Sequence, residues 1–170
     1  MIIMQIKVPL DNGYISSQYA KGATQTIQGK PCVSFPIEIS DVPTSAKTLA
    51  FCLVDWDSVP VCGLPWIHWV GANIDPLTTL IPADASQSGA VKMTRGKNTL
   101  AGAAFGPLDP KISQHYTGPF PPDQPHDYTL SMFALNQKLP LKNGFWLNQM
   151  FHAMKGHVID RAKFVVPAKN

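Results

Sequence analysis

Five segments of the chain carry the hydrophobic patterns of β-strands. Apolar and polar residues alternate over part of segment 2–8 and along 128–135, as in strands with one buried face. The pattern at 2–8 is typical of an edge strand. Segments 48–55 and 66–73 are almost continuously apolar, which predicts strands buried on both faces. Segment 32–39 is a further predicted strand, because a Gly-Lys-Pro turn signal precedes it.

One helix is predicted near the end of the sequence, where apolar residues recur at helical spacing. Asn143 is a suitable N-cap, and Gly156 is suited to end or bend the helix. A short closing strand at 162–166 follows. The apolar positions of the helix, which we expect to pack on the core, are Trp146, Leu147, Met150, Phe151 and Met154.

Prolines and long connections indicate a mostly β fold. The chain has 16 prolines, which interrupt helices. Long segments without a strand pattern, at 77–99 and 106–125, separate the predicted strands, and 101–105 is small and apolar without a clear period. No internal repeat or linker is visible. We therefore expect one mostly β domain that spans residues 1–170, with peripheral helix.

Composition excludes several classes of protein. Of the 170 residues, 45% are hydrophobic, which is enough for a real core and excludes intrinsic disorder. The longest strictly apolar run in the middle of the chain, 49–54, is far shorter than the roughly 18 residues of a spanning helix. Segment 1–6 has no cationic region and is too short for a secretory signal. We therefore expect a cytoplasmic protein.

The charge is distributed unevenly. Residues 1–137 carry 8 basic and 10 acidic groups, whereas 138–170 carries six basic groups against Asp160 alone, for a net charge of +5. This segment is suited to a peripheral contact with anionic lipid, but a solvated helix face and tail explains it more simply. Because no block of five like charges occurs, we expect no binding of nucleic acid.

The three cysteines, Cys32, Cys52 and Cys62, form no CxxC pair. We expect reduced, partly buried thiols in a reducing compartment. A nucleophilic Cys52 or Cys62 is disfavoured, because each lies in an apolar stretch without an adjacent cation to lower its pKa.

Polar residues occur in or beside the predicted strands at three places. Asp55 and Asp57 end the apolar run at 48–55, and in extended backbone they would point the same way. His68 lies inside the next apolar run. His126 and Tyr128 again share a face. The first two places have a structural alternative: an Asx-type turn for the two aspartates, and a core imidazole bonded to a backbone carbonyl for His68.

A proline-rich loop at 116–122 precedes His126. It can present backbone N–H groups, although Gly118 and Pro119 equally fit a simple tight turn. The spacings give no metal-ligand motif, no nucleophile elbow and no nucleotide-binding glycine motif, so we expect no metal and no cofactor. Histidine, tyrosine and N–H donors that converge on one point would suit an oxyanion such as phosphate.

With these motifs the sequence resembles the phosphatidylethanolamine-binding protein family, in its bacterial branch, which is related to the Raf kinase inhibitor proteins. The family's first signature, D-P-D-x-P followed by W-x-H-W, is matched by V-D-W-D-S-V-P at 54–60 and W-I-H-W at 66–69. The second, Y-x-G-P-x-P-P followed by P-H-R-Y, is matched by Y-T-G-P-F-P-P at 116–122 and P-H-D-Y at 125–128. The resemblance covers roughly residues 33–166.

The sequence departs from these signatures at two places. Trp56 replaces the proline between the acids, and Pro60 comes one position later. Asp127 replaces the arginine, so a salt bridge made by that arginine is lost.

The resemblance implies a large antiparallel sheet packed with a smaller one, and a small anion-binding pocket at the strand ends. It implies no catalytic residue, and a small ligand of phosphate or phosphomonoester type. A regulator of other proteins and a homodimer both stay open. Carried over residue by residue, the pocket residues are Asp55, Asp57, Pro60, His68, Gly118, Pro119, His126 and Tyr128.

Two carboxylates beside a bound anion would repel it. We expect one of them to orient His68 or His126 and keep it protonated; alternatively, a carboxylate meets a ligand amine. An uncharacterised hydrolase or isomerase with His68 and His126 as acid and base is the alternative to a binding protein.

Overall fold

The apolar segment 48–55 forms the central strand of the larger sheet, and all eight of its residues are buried. The structure, a computed structural model, describes residues 3–170. The strands, in chain order, are β1 (Gln5–Lys7), β2 (Thr26–Ile27), β3 (Lys30–Pro31), β4 (Ile37–Ser40), β5 (Thr48–Asp55), β6 (Trp66–Ile74), β7 (Leu80–Ile81), β8 (Thr94–Arg95), β9 (His126–Leu135) and β10 (Val158–Ala168).

In residues 3–170, neighbouring strands in each sheet pair antiparallel. The larger sheet has the order β10-β9-β5-β6-β8, and a three-stranded sheet has the order β1-β4-β7. Strands β2 and β3 form a separate hairpin. The expectation of a mostly β fold with a large and a smaller antiparallel sheet is therefore confirmed.

Helices are short and lie outside the sheets. Within the described part of the chain, three short 3₁₀ turns occur, at Ser17–Tyr19, Thr99–Ala101 and Ala103–Phe105. The α-helices are α1 (Val59–Cys62), α2 (Ala85–Ser88), α3 (Pro110–Ser113) and α4 (Leu147–Met154). The two long connections predicted without structure thus contain β7, β8, α2 and α3.

The main core fills the space between the two sheets. Its centre is aromatic: the rings of Phe51 and Trp69 lie 4.7 Å apart, and those of Phe35 and Tyr116 lie 5.6 Å apart, all in edge-to-face contact. A second cluster lies on the other face of the larger sheet, where α4 packs Met150 and Met154 against β5 and β6. Both faces of β5 are therefore covered, which explains its continuous apolar sequence.

Two predicted strands have different bounds in the structure. Segment 32–39 is wrong as a single strand, because only Ile37–Ser40 pairs in the sheet; Pro36 has no N–H to donate to a ladder. The strand predicted at 2–8 is β1, Gln5–Lys7, at the edge of the smaller sheet as expected. Residue 2 lies outside the described residues.

The predicted helix is shorter than expected. Asn143 does not cap it: its Oδ1 accepts a hydrogen bond from the backbone N–H of Arg95, and the helix begins at Leu147. Trp146 and Phe151 are exposed, so only part of the predicted apolar face meets the core. Gly156, at φ +79°, lies in the turn after the helix end.

The basic segment 138–170 forms no tail. Most of its second half is β10, an edge strand whose Arg161 and Lys163 are exposed. Arg161 borders a shallow groove beside α4, together with His152, Lys155 and the ring of Phe151. The predicted solvated tail is thus largely strand β10, and the predicted charged helix face is the end of α4. Within residues 3–170, no helix combines the length and the apolar character that crossing a bilayer requires.

Candidate functional site

Three neighbouring strands of the larger sheet, β9, β5 and β6, begin or end at the same end of the sheet. Asp55 ends β5, and it lies opposite Tyr128 of β9 on one side and Trp66 of β6 on the other. His68 lies at an irregularity of β6, since Ile67 and Trp69 are paired with consecutive residues of β5. Such bulges re-aim side chains at sheet ends. The motif residues that are distant in sequence are thereby brought together.

His126 is held between two carboxylates. Its Nδ1 lies 2.8 Å from Asp55 Oδ2, and its Nε2 lies 2.9 Å from Asp123 Oδ1. A neutral imidazole has one N–H and cannot donate to both, so this arrangement requires the imidazolium. Burial opposes the charge, but the hydrogen bond and charge of Asp55, and then those of Asp123, outweigh it and raise the pKa of His126.

His68 is the neutral histidine of the site. It is buried, and its Nδ1 donates to the carbonyl of Thr117 at 2.7 Å. Burial lowers its pKa to about 4, against the opposing influence of that carbonyl and of Asp55. Nδ1 therefore carries the proton at neutral pH, and Nε2 is left as an acceptor. His68 is thus both the core imidazole bonded to a carbonyl and a residue of the cavity described below.

The two aspartates of the first motif do not point the same way. Strand β5 ends at Asp55, whose carboxylate is buried and also accepts the backbone N–H of Ser58. Asp57 lies beyond the strand end and is exposed; its Oδ2 accepts the backbone N–H of Asp127. The shared direction expected for extended backbone therefore does not apply, because the strand ends before Asp57.

The loop at 116–122 offers no free N–H between Thr117 and Phe120. Thr117 N–H donates to the carbonyl of His68, Gly118 N–H to that of Pro31, and Phe120 N–H to the Tyr128 hydroxyl. Pro119 has no N–H. The expected presentation of loop N–H groups to a ligand is therefore wrong: these groups fasten the loop to β3, β6 and β9.

Gly118 is where the loop passes closest to its neighbours. A Cβ at this position would lie 2.3 Å from the carbonyl oxygen of Tyr19 and 2.7 Å from Cβ of Pro31. Glycine is thus required by packing of the loop against β3. The neighbouring Pro119 is buried, and its carbonyl accepts the N–H of Lys21.

A cavity of about 230 Å³ opens at these strand ends. This is smaller than the roughly 300–1,000 Å³ of pockets for drug-sized ligands, so it suits a small ligand. Its polar lining residues include Lys30, Asp55, Ser58, His68, Thr117, His126 and Tyr128. Its apolar lining residues include Val61, Trp66, Leu100, Phe120 and Pro122.

Of the eight pocket residues implied by the resemblance, five line this cavity: Asp55, His68, Gly118, His126 and Tyr128. Asp57, Pro60 and Pro119 do not. Pro60 lies in the exposed turn of α1, and Asp57 and Pro119 make the contacts given above.

Tyr128 and Ser58 complete the polar wall. Burial, and then the charge of Asp55, raise the pKa of the Tyr128 hydroxyl, which stays protonated. The ring of His68 meets the Tyr128 ring edge to face at 4.9 Å. The Ser58 hydroxyl contacts the carbonyls of Asp55 and Leu64 at 2.8 and 2.7 Å, so it braces the turn and is not set up as a nucleophile.

Sequence reasoning missed Lys30 and Asp123. Lys30, an exposed cation of the hairpin, lines the cavity mouth, and the sequence identified its surroundings only as a turn. Asp123 lies three residues before His126, a spacing that could have drawn attention to it. Thr117, also missed, has a buried hydroxyl without a partner among the described residues.

The cysteines differ in exposure. Cys52 is buried in the core, and burial raises its pKa to about 12; Cys32 is half-buried. Cys62 is exposed and lines the cavity, so the expectation that all three are partly buried is wrong for it. In residues 3–170, no three His, Cys, Asp or Glu side chains are grouped so as to hold a metal ion.

Comparison with known proteins shows which family the chain resembles. The family model for phosphatidylethanolamine-binding protein matches residues 5–168. The chain is 43% identical over 160 residues to the uncharacterised protein YxkA of Bacillus subtilis, covering 93% of this chain and 95% of that protein. It is 33% identical over 136 residues to a UPF0098 protein of Chlamydia muridarum, covering 78% and 80%.

Solved structures agree. A phosphatidylethanolamine-binding protein homologue of Chlamydia trachomatis superposes with a TM-score of 0.79 at 26% identity, over 100% of this chain and 99% of that one. Escherichia coli YbcL, described as a member of the mammalian family, gives 0.77 at 20% identity over 98% of both chains and supports the fold alone. The match of nearly the whole chain to the family model is decisive: this chain belongs to the phosphatidylethanolamine-binding protein family.

Proposed function

We propose that this protein binds a small phosphate-type anion, such as a phosphomonoester, in the cavity beside Asp55 and His126, and does not convert it. The observation that carries the proposal is the buried imidazolium of His126, whose side chain is 1% exposed. Its charge is compensated by Asp55, so what it offers an anion is a charge-assisted hydrogen bond from Nε2, which is stronger than a bond from a neutral donor. Lys30 adds a second cation at the mouth.

The apolar part of the cavity suits a substituent on the anion. Trp66 and Phe120 form part of its walls, and Phe105 contacts the Trp66 ring edge to face at 5.3 Å. Inorganic phosphate would leave these walls in contact with water. A monoester with a small apolar or aromatic group would cover them and gain the corresponding hydrophobic free energy.

Acid–base catalysis by His68 and His126 is less well supported. Asp55 on Nδ1 stabilises the imidazolium of His126 and raises its pKa, which opposes the release of a proton to a substrate. His68 has one free nitrogen, but the hydroxyl of Ser58 and the thiol of Cys62, which both line the cavity, are bound to backbone carbonyls. These contacts favour binding over turnover.

Titration with sulfate tests the proposal. Sulfate stays fully ionised, so any pH dependence comes from the protein. We expect a Kd in the high-micromolar to millimolar range, about −4 to −6 kcal/mol, because the site is small. The affinity should fall as the pH rises through the raised pKa of His126.

His126→Gln should abolish that pH dependence, whereas His68→Gln should keep it, because His68 is already neutral across this range. No chemical-shift change of His68 or His126 with millimolar sulfate or phenyl phosphate at pH 6 would refute the proposal. Release of phosphate from phenyl phosphate, lost in His68→Ala, would replace it with the enzymatic alternative.

A further inference from the structure

The two carboxylates that hold His126 are not equivalent. Asp55 is the last residue of a central strand; its side chain is 4% exposed, and its other oxygen accepts the Ser58 N–H. Asp123 lies in the loop before β9, and its side chain is 51% exposed. Asp55 is therefore a fixed part of the sheet end, whereas Asp123 can rotate into solvent without disturbing the core.

Apart from Lys30 at the mouth and the partnerless hydroxyl of Thr117, the site offers an anion few other hydrogen-bond donors. The loop N–H groups of Thr117, Gly118 and Phe120 have backbone or tyrosine partners. His68 Nε2 is an acceptor, since its proton is on Nδ1. Among the residues described, His126 Nε2–H is thus a charged donor whose present partner, the Asp123 carboxylate, is half exposed.

We infer that Asp123 is an internal competitor for the ligand: its carboxylate occupies the position on His126 Nε2 that an oxygen of the bound anion takes. The inference rests on the proposed function. An incoming anion exchanges one charge-assisted hydrogen bond for another, and Asp123 swings into water. The contact that must break is exposed on one side, and exposed ion pairs are weak, so the exchange is within reach of a small ligand.

Competition with a carboxylate determines which ligands the site accepts. A carboxylate ligand would replace Asp123 with a group of the same charge and chemistry, and would gain little. A dianion with three terminal oxygens, as in a phosphomonoester, carries twice the charge and keeps oxygens free for Lys30. Asp123 therefore gives the site a preference for phosphate-type dianions over carboxylates.

The experiment compares the wild-type protein with Asp123→Asn and Asp127→Asn at pH 6, using sulfate and acetate as probes. Asp127 is a matched control, because it is exposed and adjacent to His126 in sequence, but no described residue hydrogen-bonds to its carboxylate. At this pH the raised pKa of His126 leaves it charged in the wild type, while His68 is neutral and Tyr128 is protonated; Asp55, which raises the pKa of His126 more than Asp123 does, is kept in both variants.

We expect Asp123→Asn to bind sulfate about three- to tenfold more tightly, in line with the loss of one exposed, charge-assisted contact. Asp127→Asn should stay within about twofold of the wild type, since it removes only a screened charge. Acetate binding should become measurable in Asp123→Asn alone. In the wild type, the NMR chemical shift of the Asp123 carboxyl carbon should move towards that of an aspartate in water as sulfate saturates the site. This measurement needs no variant.

Two results would overturn the inference while leaving the proposed function intact. One is an equal gain in Asp123→Asn and Asp127→Asn, which would show a general charge effect. The other is sulfate binding with an unchanged Asp123 carboxyl signal and unchanged affinity in Asp123→Asn. Absence of sulfate binding in all three proteins would instead refute the proposed function, and the inference with it.

Discussion

Asp55 Oδ2 and His126 Nδ1 form a 2.8 Å hydrogen bond between two buried side chains that lie 71 residues apart in the sequence. The contact joins the end of β5 to the beginning of β9. It stabilises the charged form of His126 in a place where burial alone would remove the proton. It is therefore at once a structural link between two strands and the origin of the positive charge in the site.

Asp55→Asn should destabilise the fold by about 3 kcal/mol or more, because removing one member of a buried ion pair leaves the other charge uncompensated. Asp57→Asn is the matched control: Asp57 is exposed and accepts a single backbone N–H, which the amide oxygen of asparagine can still accept, so the change should cost less than about 1 kcal/mol. Urea denaturation of the two variants measures both free energies of unfolding. Equal losses would contradict the importance assigned to the buried pair.

The two histidines should give stability opposite dependences on pH. His68 has a pKa of about 4 in the native state, so as the pH falls below ~6.5 the unfolded chain binds a proton that the native protein does not. The native state should therefore lose about 3 kcal/mol between ~6.5 and about 4 from this group. Urea midpoints measured across this range in the wild type and in His68→Gln test this; the loss of stability on acidification should be about 3 kcal/mol smaller in the variant.

His126 contributes with the opposite sign. Its pKa is raised in the native state, so its stabilisation is complete below the ordinary value of ~6.5 and is lost as the pH rises through the native value. Histidine NMR titration should find His126 protonated at pH 6.5 while His68 is neutral. The reverse order of the two pKa values would contradict the assignment of the charge to His126.

Gly118→Ala should destabilise the protein by about 2 kcal/mol or more, because the new methyl group would lie too close to the Tyr19 carbonyl and to Pro31. Gly102→Ala is the comparison, since the nearest atom to its Cβ would be the Thr99 carbonyl oxygen at 3.1 Å. Thermal or urea unfolding should rank Gly118→Ala as the more damaging change. A wild-type melting temperature for Gly118→Ala would refute the packing argument.

Divalent metal is not expected to support the fold. The described side chains include no group of three metal-binding residues, and the sequence lacks the spacing of a structural zinc site. Treatment with a chelator should leave the melting temperature unchanged. A fall of many degrees, reversed by added zinc, would contradict this prediction.

Three possibilities that the sequence raised stay open: contact with anionic lipid, regulation of a protein partner, and formation of a homodimer. Lys155 and Arg161 of the basic segment border one groove, which shares no lining residue with the cavity.

The sequence by itself determined the central strands. Segments 48–55 and 66–73 are apolar without alternation because both faces of β5, and most residues of β6, are buried. Each buried position favours an apolar residue, so this pattern is visible in the sequence without knowledge of the rest of the fold. Linked motifs identified Asp55, His68, His126 and Tyr128, since residue types and spacings are local properties. The helix bounds were less predictable, because Asn143 bonds to Arg95 of a distant strand instead of capping.

Only the tertiary structure decided how these residues share charge. Whether His68 or His126 is protonated depends on which one contacts a carboxylate, and that follows from the register between β5 and β9. The divergence of Asp57 from Asp55 and the role of Asp123 likewise depend on where the chain turns. Electrostatic interactions fall off with distance through space, and separation along the sequence does not fix that distance.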